Sequence, residues 1–97
     1  MNTTEHLLTC LAEECAELQQ AISKALRFGL QDRYPGASTT NAQDIAKESI
    51  DVLAVIDLLQ EQGIITQPRE TKAMYDAKRK RVNEYMKYAK ITGALDG

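Results

Sequence analysis

The segment from Ala42 to Gln62 restricts the fold more than any other part of the chain. Drawn as an α-helix, it carries apolar residues on nearly every side, and Gly63 follows it as a stop signal. Its apolar residues are Ile45, Ile50, Val52, Leu53, Val55, Ile56, Leu58 and Leu59. A helix of this kind is buried on several sides, and two other helices of similar length could hardly cover it. The pattern therefore predicts a homo-oligomer in which this helix meets its copies.

Composition favours packed helices over a sheet sandwich. Hydrophobic residues make up 43% of the 97 residues, but one Phe, four Tyr and no Trp leave the core aliphatic and rich in alanine. A first helix of about 4–28 takes its cap from Thr3 or Thr4 and stops at Gly29. A third helix, of about 68–91, opens on a proline. We expect one all-α domain over the full length, folded as a small antiparallel helical bundle.

A connection of about a dozen residues joins the first two helices, which is long enough to suggest a functional role. It spans residues 30–40 and contains Pro35-Gly36 and a Ser-Thr-Thr cluster, all typical of turns. Asn41 follows it directly. The plain interpretation of Asn41 is an N-cap of the second helix, and the sharper one is a contact to a ligand.

Two pairs of carboxylates share the same i, i+3 spacing, which turns both members of a pair to one side of a helix. Glu14 and Glu17 belong to the first helix, and Glu48 and Asp51 interrupt the apolar second helix. Unpaired carboxylates in such a place would be costly, so the second pair requires a cation. Four oxygen donors from adjacent antiparallel helices suit Mg²⁺ or Mn²⁺ and leave positions open for phosphate.

The alternative for Glu13, Glu14 and Glu17 is a solvated helix face. No basic residue stands four positions after any of them, where a stabilising partner would be expected. His6, the single histidine, is expected at the surface rather than at a metal, so zinc is not supported. The acidic run on the first helix is by itself weak support for a metal site. Together with Glu48 and Asp51 on the second helix, the support becomes strong.

Cys10 and Cys15 stand on different sides of the first predicted helix, too far apart to form a disulfide. We expect both to be small buried residues in a reducing cytoplasm. The N-terminus lacks the features of a signal peptide. The longest apolar run, Val52–Leu59, contains Asp57 and is too short to span a membrane. These observations predict a soluble cytoplasmic protein without a membrane partner.

Charge is divided unevenly along the chain. Residues 1–68 hold 4 basic and 10 acidic side chains, whereas residues 69–90 hold 8 basic and 3 acidic ones. An acidic part facing a basic part suits a site that holds cations and polyanions together. Lys24 and Arg27, beyond Glu17 on the first helix, are candidates for holding a polyanion. The basic run at 78–81 either holds a polyanion as well or is a solvated helix face.

The run Glu13-Glu14-x-x-Glu17 followed by Glu48-x-x-Asp51 resembles the signature of the MazG-like, all-α nucleoside triphosphate pyrophosphohydrolases. The resemblance covers about residues 5–90, including the helix breaks and the C-terminal helix rich in Lys and Arg. The 30 residues between the two motifs make the connection slightly long for the family. The resemblance implies a helical bundle completed by oligomerisation, as a dimer or a tetramer.

Position by position, the resemblance makes four carboxylates the ligands of Mg²⁺ or Mn²⁺: Glu14, Glu17, Glu48 and Asp51. Glu13 would stand behind these ligands or act as the base that orients the attacking water. The implied reaction cleaves a nucleoside triphosphate between its α- and β-phosphorus atoms, giving a monophosphate and pyrophosphate. Some phage relatives, of the MazZ type, act on dGTP and dATP, and the residues do not separate that subtype. The candidate substrate-binding residues are Lys24, Arg27, Asn41, Lys78, Arg81 and Asn83.

The competing hypothesis is a non-catalytic helical interaction module whose basic third helix binds nucleic acid or an acidic partner. It explains residues 69–90 but gives no reason for Glu48 and Asp51 to interrupt an apolar helix. The net charge of −2 and the few aromatic residues argue against nucleic acid. The preferred base and sugar do not follow from the sequence.

Overall fold

The computed structural model describes residues 1–96, and all secondary structure in that range is helical. The three helices are α1 (Thr3–Phe28), α2 (Asn41–Glu61) and α3 (Thr71–Thr92). The predicted all-α class is therefore confirmed, with no strand in the described part of the chain. Gly97, the last residue of the predicted single domain, lies outside the described residues. None of the helices described here combines the length and hydropathy needed to cross a bilayer.

Helix α1 begins with a reciprocal cap. The side chain of Asn2 accepts a hydrogen bond from the backbone of Glu5 at 2.8 Å, and the Glu5 carboxylate accepts one from the Asn2 backbone at 3.4 Å. The predicted cap at Thr3 or Thr4 is wrong, because Asn2 has the acidic partner three residues on that such a box requires. Gly29 ends the helix as predicted, with a φ of 100°.

Helix α2 also starts with a capping box, one residue earlier than predicted. Thr40 accepts from the Gln43 backbone at 3.2 Å, and the Gln43 side chain accepts from the Thr40 backbone at 2.9 Å. The N-cap predicted at Asn41 is wrong, because Asn41 is already the first helical residue and Thr40 holds the capping position. The helix ends two residues before Gly63, whose φ is 69°.

Asn41 closes the base of the connection between α1 and α2. Its side-chain amide donates to the carbonyl of Gly29 at 2.9 Å, and its backbone N–H donates to Asp32 at 2.9 Å. The Ala42 N–H donates to the Leu30 carbonyl, also at 2.9 Å. The side-chain bond ties the end of α1 to the start of α2, and Asn41 is only 5% exposed. The predicted ligand contact of Asn41 stays a prediction.

Helices α1 and α2 pack on each other as an antiparallel pair. The start of α2 lies against the end of α1 through Asn41 and Gly29, whereas Glu48, further along α2, lies close to Glu17, earlier on α1. The order of contacts is reversed between the two helices, which is the predicted antiparallel arrangement.

The core of the helix pair is small. Its buried apolar side chains are Ala21 and Ala25 on α1 and the fully buried Leu59 on α2. In contrast, Ile50 is 65% and Leu53 60% exposed, although a helix as apolar as α2 is expected to be covered. The predicted cover by copies of the chain stays a prediction.

The chain divides into two compact units, Met1–Thr66 and a second that begins at Gln67. The second unit contains α3, in which no residue from 71 to 92 is buried. Helix α3 begins three residues later than predicted, because the Pro68 carbonyl accepts from the Thr71 hydroxyl in a turn that precedes the helix. Gly93 ends the helix in the left-handed conformation.

Candidate metal centre

Three of the four predicted metal ligands come together between α1 and α2. One carboxylate oxygen from each of Glu14, Glu17 and Glu48 lies within 4.8 Å of the other two. The i, i+3 spacing turns Glu14 and Glu17 to the same side of α1, and the antiparallel pairing sets Glu48 opposite them. We call these three residues the glutamate cluster. It offers oxygen donors, which suits a hard divalent cation such as Mg²⁺ or Mn²⁺.

Burial leaves two oxygens of the glutamate cluster without a partner. Glu17 is exposed, whereas Glu14 is half-buried and the Glu48 side chain is only 18% exposed. Oε2 of Glu14 and Oε2 of Glu48 are inaccessible to solvent and accept no hydrogen bond from residues 1–96. A buried acceptor without a donor is costly, and a charged one more so. A cation held by the cluster would satisfy both oxygens.

Electrostatics at the cluster favour added positive charge. Burial raises the pKa of Glu14 above its ordinary value, and the neighbouring negative charges raise it further. Those charges belong to Glu17, Asp51 and Glu48, in order of decreasing effect. Lys47 acts on the same pKa in the opposite direction. The carboxylates therefore repel one another, and a divalent ion between them would relieve the repulsion.

Asp51, the fourth predicted ligand, is held by a lysine instead of joining the cluster. Its Oδ2 lies 2.6 Å from Nζ of Lys47, which also lies 3.7 Å from Oε1 of Glu48. The hydrogen bond to Asp51 raises the pKa of Lys47, and attraction to both carboxylates adds to the rise. Lys47 is not among the residues predicted for the site, although its i, i+4 spacing to Asp51 is a known ion-pair signal.

Glu13 is exposed on α1 and lies outside the glutamate cluster. His6 is exposed as predicted, and its Nε2 lies 3.7 Å from Sγ of Cys10.

Both cysteines are free, which confirms that they do not bridge each other. Cys10 is half-buried but Cys15 is exposed, so its predicted burial is wrong. The reason is that Cys15 lies on a different side of α1 from the buried Ala21 and Ala25.

A cavity of about 270 Å³ adjoins the glutamate cluster. Glu17 and Glu48 form part of its wall, and Gln20, Lys24 and Asp44 line the remainder together with one alanine. The cavity thus places a lysine beside two carboxylates of the cluster. Lys24, predicted to bind substrate, stands where a bound cation and an anionic ligand would meet. Gln20 is not among the residues predicted for the site, because a glutamine on a helix face has no distinctive sequence pattern.

A second, larger groove of about 590 Å³ runs along α1. Gln20 and Lys24 line it as well as the first cavity, so the two are neighbours. Arg27, the other basic residue predicted on this helix, lines the groove with Gln19 and Ser23. The side of α1 beyond the cluster therefore presents cations and hydrogen-bonding groups.

Three further predicted residues lie on α3. Lys78 and Asn83, together with Arg79 and Val82, line a shallow cavity of about 240 Å³. Arg81 is exposed and does not line it. These residues are available to an anion on α3, and their predicted role at the substrate stays a prediction.

Comparison with protein-family models, with curated proteins and with solved structures finds no match to this chain. The functional assignment therefore depends on the site itself. The site consists of a partly buried group of carboxylates with unsatisfied oxygens, next to a cavity with a lysine in its wall. This combination suits a divalent cation together with a phosphate-bearing ligand.

Proposed function

We propose that the chain is a metal-dependent nucleoside triphosphate pyrophosphohydrolase of the MazG-like, all-α type. The observation that carries the proposal is the glutamate cluster, with its two buried and unpartnered oxygens beside the cavity of Lys24. In the proposed reaction, water adds across the anhydride between the α- and β-phosphorus atoms. A nucleoside monophosphate and pyrophosphate leave, and dGTP, dATP or a non-canonical nucleotide are candidate substrates.

The residues of the site fit Mg²⁺ or Mn²⁺. Glu14, Glu17 and Glu48 would hold the ion, with Asp51 one turn further along α2. The unpartnered oxygens of two of these glutamates supply the donors that such an ion requires. When bound, the ion neutralises charge on phosphate oxygens and lowers the pKa of water.

The remaining residues bind and orient the substrate. Lys24 lines both cavities, so its ammonium would contact phosphates bound beside the cluster or groups bound in the groove along α1. Arg27 stands further along the groove. Glu13, exposed one residue before Glu14, orients the attacking water or supports the ligands. No covalent nucleophile is needed, because phosphoryl-transfer enzymes work mainly by placement and charge.

The exposed apolar residues favour a homo-oligomer, either a dimer or a tetramer. Leu26 is 83%, Ile50 65% and Leu53 60% exposed. Full burial of one such side chain contributes about 1.5–3 kcal/mol, so covering several of them with a second copy would stabilise the assembly strongly. The proposed setting is the cytoplasm.

The proposal is tested by pyrophosphate release with Mg²⁺ over a panel of canonical and modified nucleoside triphosphates. Loss of a group that merely supports a metal ligand costs about 10–100-fold, so Glu17→Gln should lower kcat/KM by about a hundredfold or more. Glu61→Gln makes the same charge change at an exposed position outside the cluster and should leave kcat/KM near wild type. Absence of turnover with every nucleotide, or wild-type rates in Glu17→Gln, would overturn the proposal.

One observation favours a second candidate, a helical module that binds an acidic partner through α3. The basic residues of this helix are exposed along its whole length, and Arg79 stacks over the ring of Tyr75 at 5.8 Å. This module needs no divalent ion, so a chain whose stability is indifferent to Mg²⁺ would favour it over the enzyme.

A further inference from the structure

Lys47 is a cation in direct contact with the acidic residues of α2. Its Nζ lies 2.6 Å from Oδ2 of Asp51 and 3.7 Å from Oε1 of Glu48. The lysine side chain is 66% exposed, while the Asp51 side chain is 32% and that of Glu48 18% exposed. The ammonium therefore reaches inward from the water-facing side of α2 to two partly buried carboxylates.

The positive charge of Lys47 is not shared evenly among the acids. Asp51 receives the close contact, whereas the oxygens without a partner belong to Glu14 and Glu48. Glu48 meets the lysine only through Oε1, so its buried Oε2 stays free for another cation. One ammonium cannot neutralise four carboxylates, and the glutamate cluster keeps a negative charge.

We infer that Lys47 is a positioning residue of the cation site, which holds Asp51 away from the glutamate cluster and so weakens the binding of a divalent ion. The inference rests on the proposed function and deepens it. Two effects would act together: the ammonium would compete with the ion for Asp51, and its positive charge beside Glu48 would repel the ion. A divalent ion would then have the three carboxylates of the glutamate cluster as protein ligands instead of four, which would leave positions for phosphate oxygens of a substrate.

The test measures binding of Mn²⁺ alone to the full chain, without nucleotide, from the electron paramagnetic resonance signal of the free ion. Removing a positive charge next to a divalent ion should strengthen binding, and we expect Lys47→Gln to lower the Kd for Mn²⁺ roughly tenfold. Lys72→Gln is the matched control. Lys72 makes the same i, i+4 ion pair, with Asp76 at 2.8 Å, on α3 and should leave the Kd unchanged.

Two further variants separate the lysine's charge from its packing. Lys47→Arg keeps the charge and should retain the wild-type Kd. The share of the gain in Lys47→Gln that comes from the released Asp51 should disappear when Asp51→Asn is added to it, so the double variant should bind Mn²⁺ less tightly than Lys47→Gln. Helix content from circular dichroism shows that each variant is folded before its Kd is compared.

The outcomes separate this inference from the proposed function. If the wild type binds Mn²⁺ and Lys47→Gln binds it equally or less tightly, the inference on Lys47 is overturned and the proposed function stands. If Lys47→Gln and Lys72→Gln tighten binding alike, the effect is one of net charge and the inference is also overturned. If neither the wild type nor Lys47→Gln binds Mn²⁺, both the inference and the metal-dependent function are overturned.

Discussion

The two ends of the α1–α2 pair bury polar side chains in different ways. At the end next to the loop, Thr40 and Asn41 are 8% and 5% exposed, and both side chains are hydrogen-bonded. At the glutamate cluster, Glu14 and Glu48 each bury an oxygen that accepts nothing from the described part of the chain. Buried polar groups that are hydrogen-bonded within the chain stabilise the fold. Buried polar groups without a partner in the chain indicate a bound ligand or ion.

The largest expected effect is a response to Mg²⁺ that only the cluster controls. A ligand at a hundred times its Kd stabilises a folded chain by about 2.7 kcal/mol, so Mg²⁺ should raise the melting temperature of the wild type. Glu48→Gln should abolish the rise, and Asn41→Ala, at the other end of the helix pair, should keep it. The measurement is thermal melting with Mg²⁺ or with a chelator. A wild type that melts at the same temperature in both would contradict a metal centre.

A smaller effect is expected from the satisfied end of the pair. Asn41→Ala deprives the Gly29 carbonyl of the donor it has at 2.9 Å, and losing such a bond costs about 1–3 kcal/mol of unfolding free energy. Urea denaturation without metal measures the loss. Asn83→Ala, at an exposed position on α3, is the control and should change the free energy by about 0.5 kcal/mol or less. Equal losses in both variants would show that Asn41 does not hold the helix ends together.

The smallest expected effect is a gain in stability on substitution, in contrast to the loss expected for Asn41→Ala. The folded-state pKa of Glu14 is raised, so its contribution to stability is present below the ordinary value of 4.5 and lost as pH rises through the folded pKa. Without metal, Glu14→Gln should therefore raise the melting temperature at neutral pH, and the gain should shrink as pH falls toward that value. Glu61→Gln, exposed and outside the cluster, should show no such gain. A gain that is independent of pH would argue against charge repulsion at the cluster.

The helices themselves were largely predictable from the sequence. Gly29 ends α1 as the sequence predicts, because glycine adopts a positive φ without the steric cost that other residues have. Residue type alone does not identify the caps, since asparagine and threonine are both good N-caps and several stand side by side. The choice fell on Asn2 and Thr40, each of which has a Glu or Gln three residues on to complete a capping box. Both capping boxes can therefore be recognised from the sequence.

The site was predictable in part. Helical spacing alone turns Glu14 and Glu17 to one side of α1, and the reversed order of an antiparallel pair brings Glu48 to them. Spacing does not tell which partner a carboxylate chooses. Asp51 lies close enough for its charge to raise the pKa of Glu14, but its contact is with Lys47, and that choice depends on side-chain rotamers.

The hydrogen bonds at the start and end of the connection between α1 and α2 should make the alignment of the two helices independent of the length of the loop. The hydrogen bonds of Asn41 and Ala42 to residues 29–32 fix where α2 starts, and residues 33–39 lie beyond that closure. We therefore expect that lengthening or shortening this outer segment leaves the alignment of the two helices unchanged. During evolution, substitutions and insertions there can alter what the loop reaches while the alignment of the carboxylates is preserved.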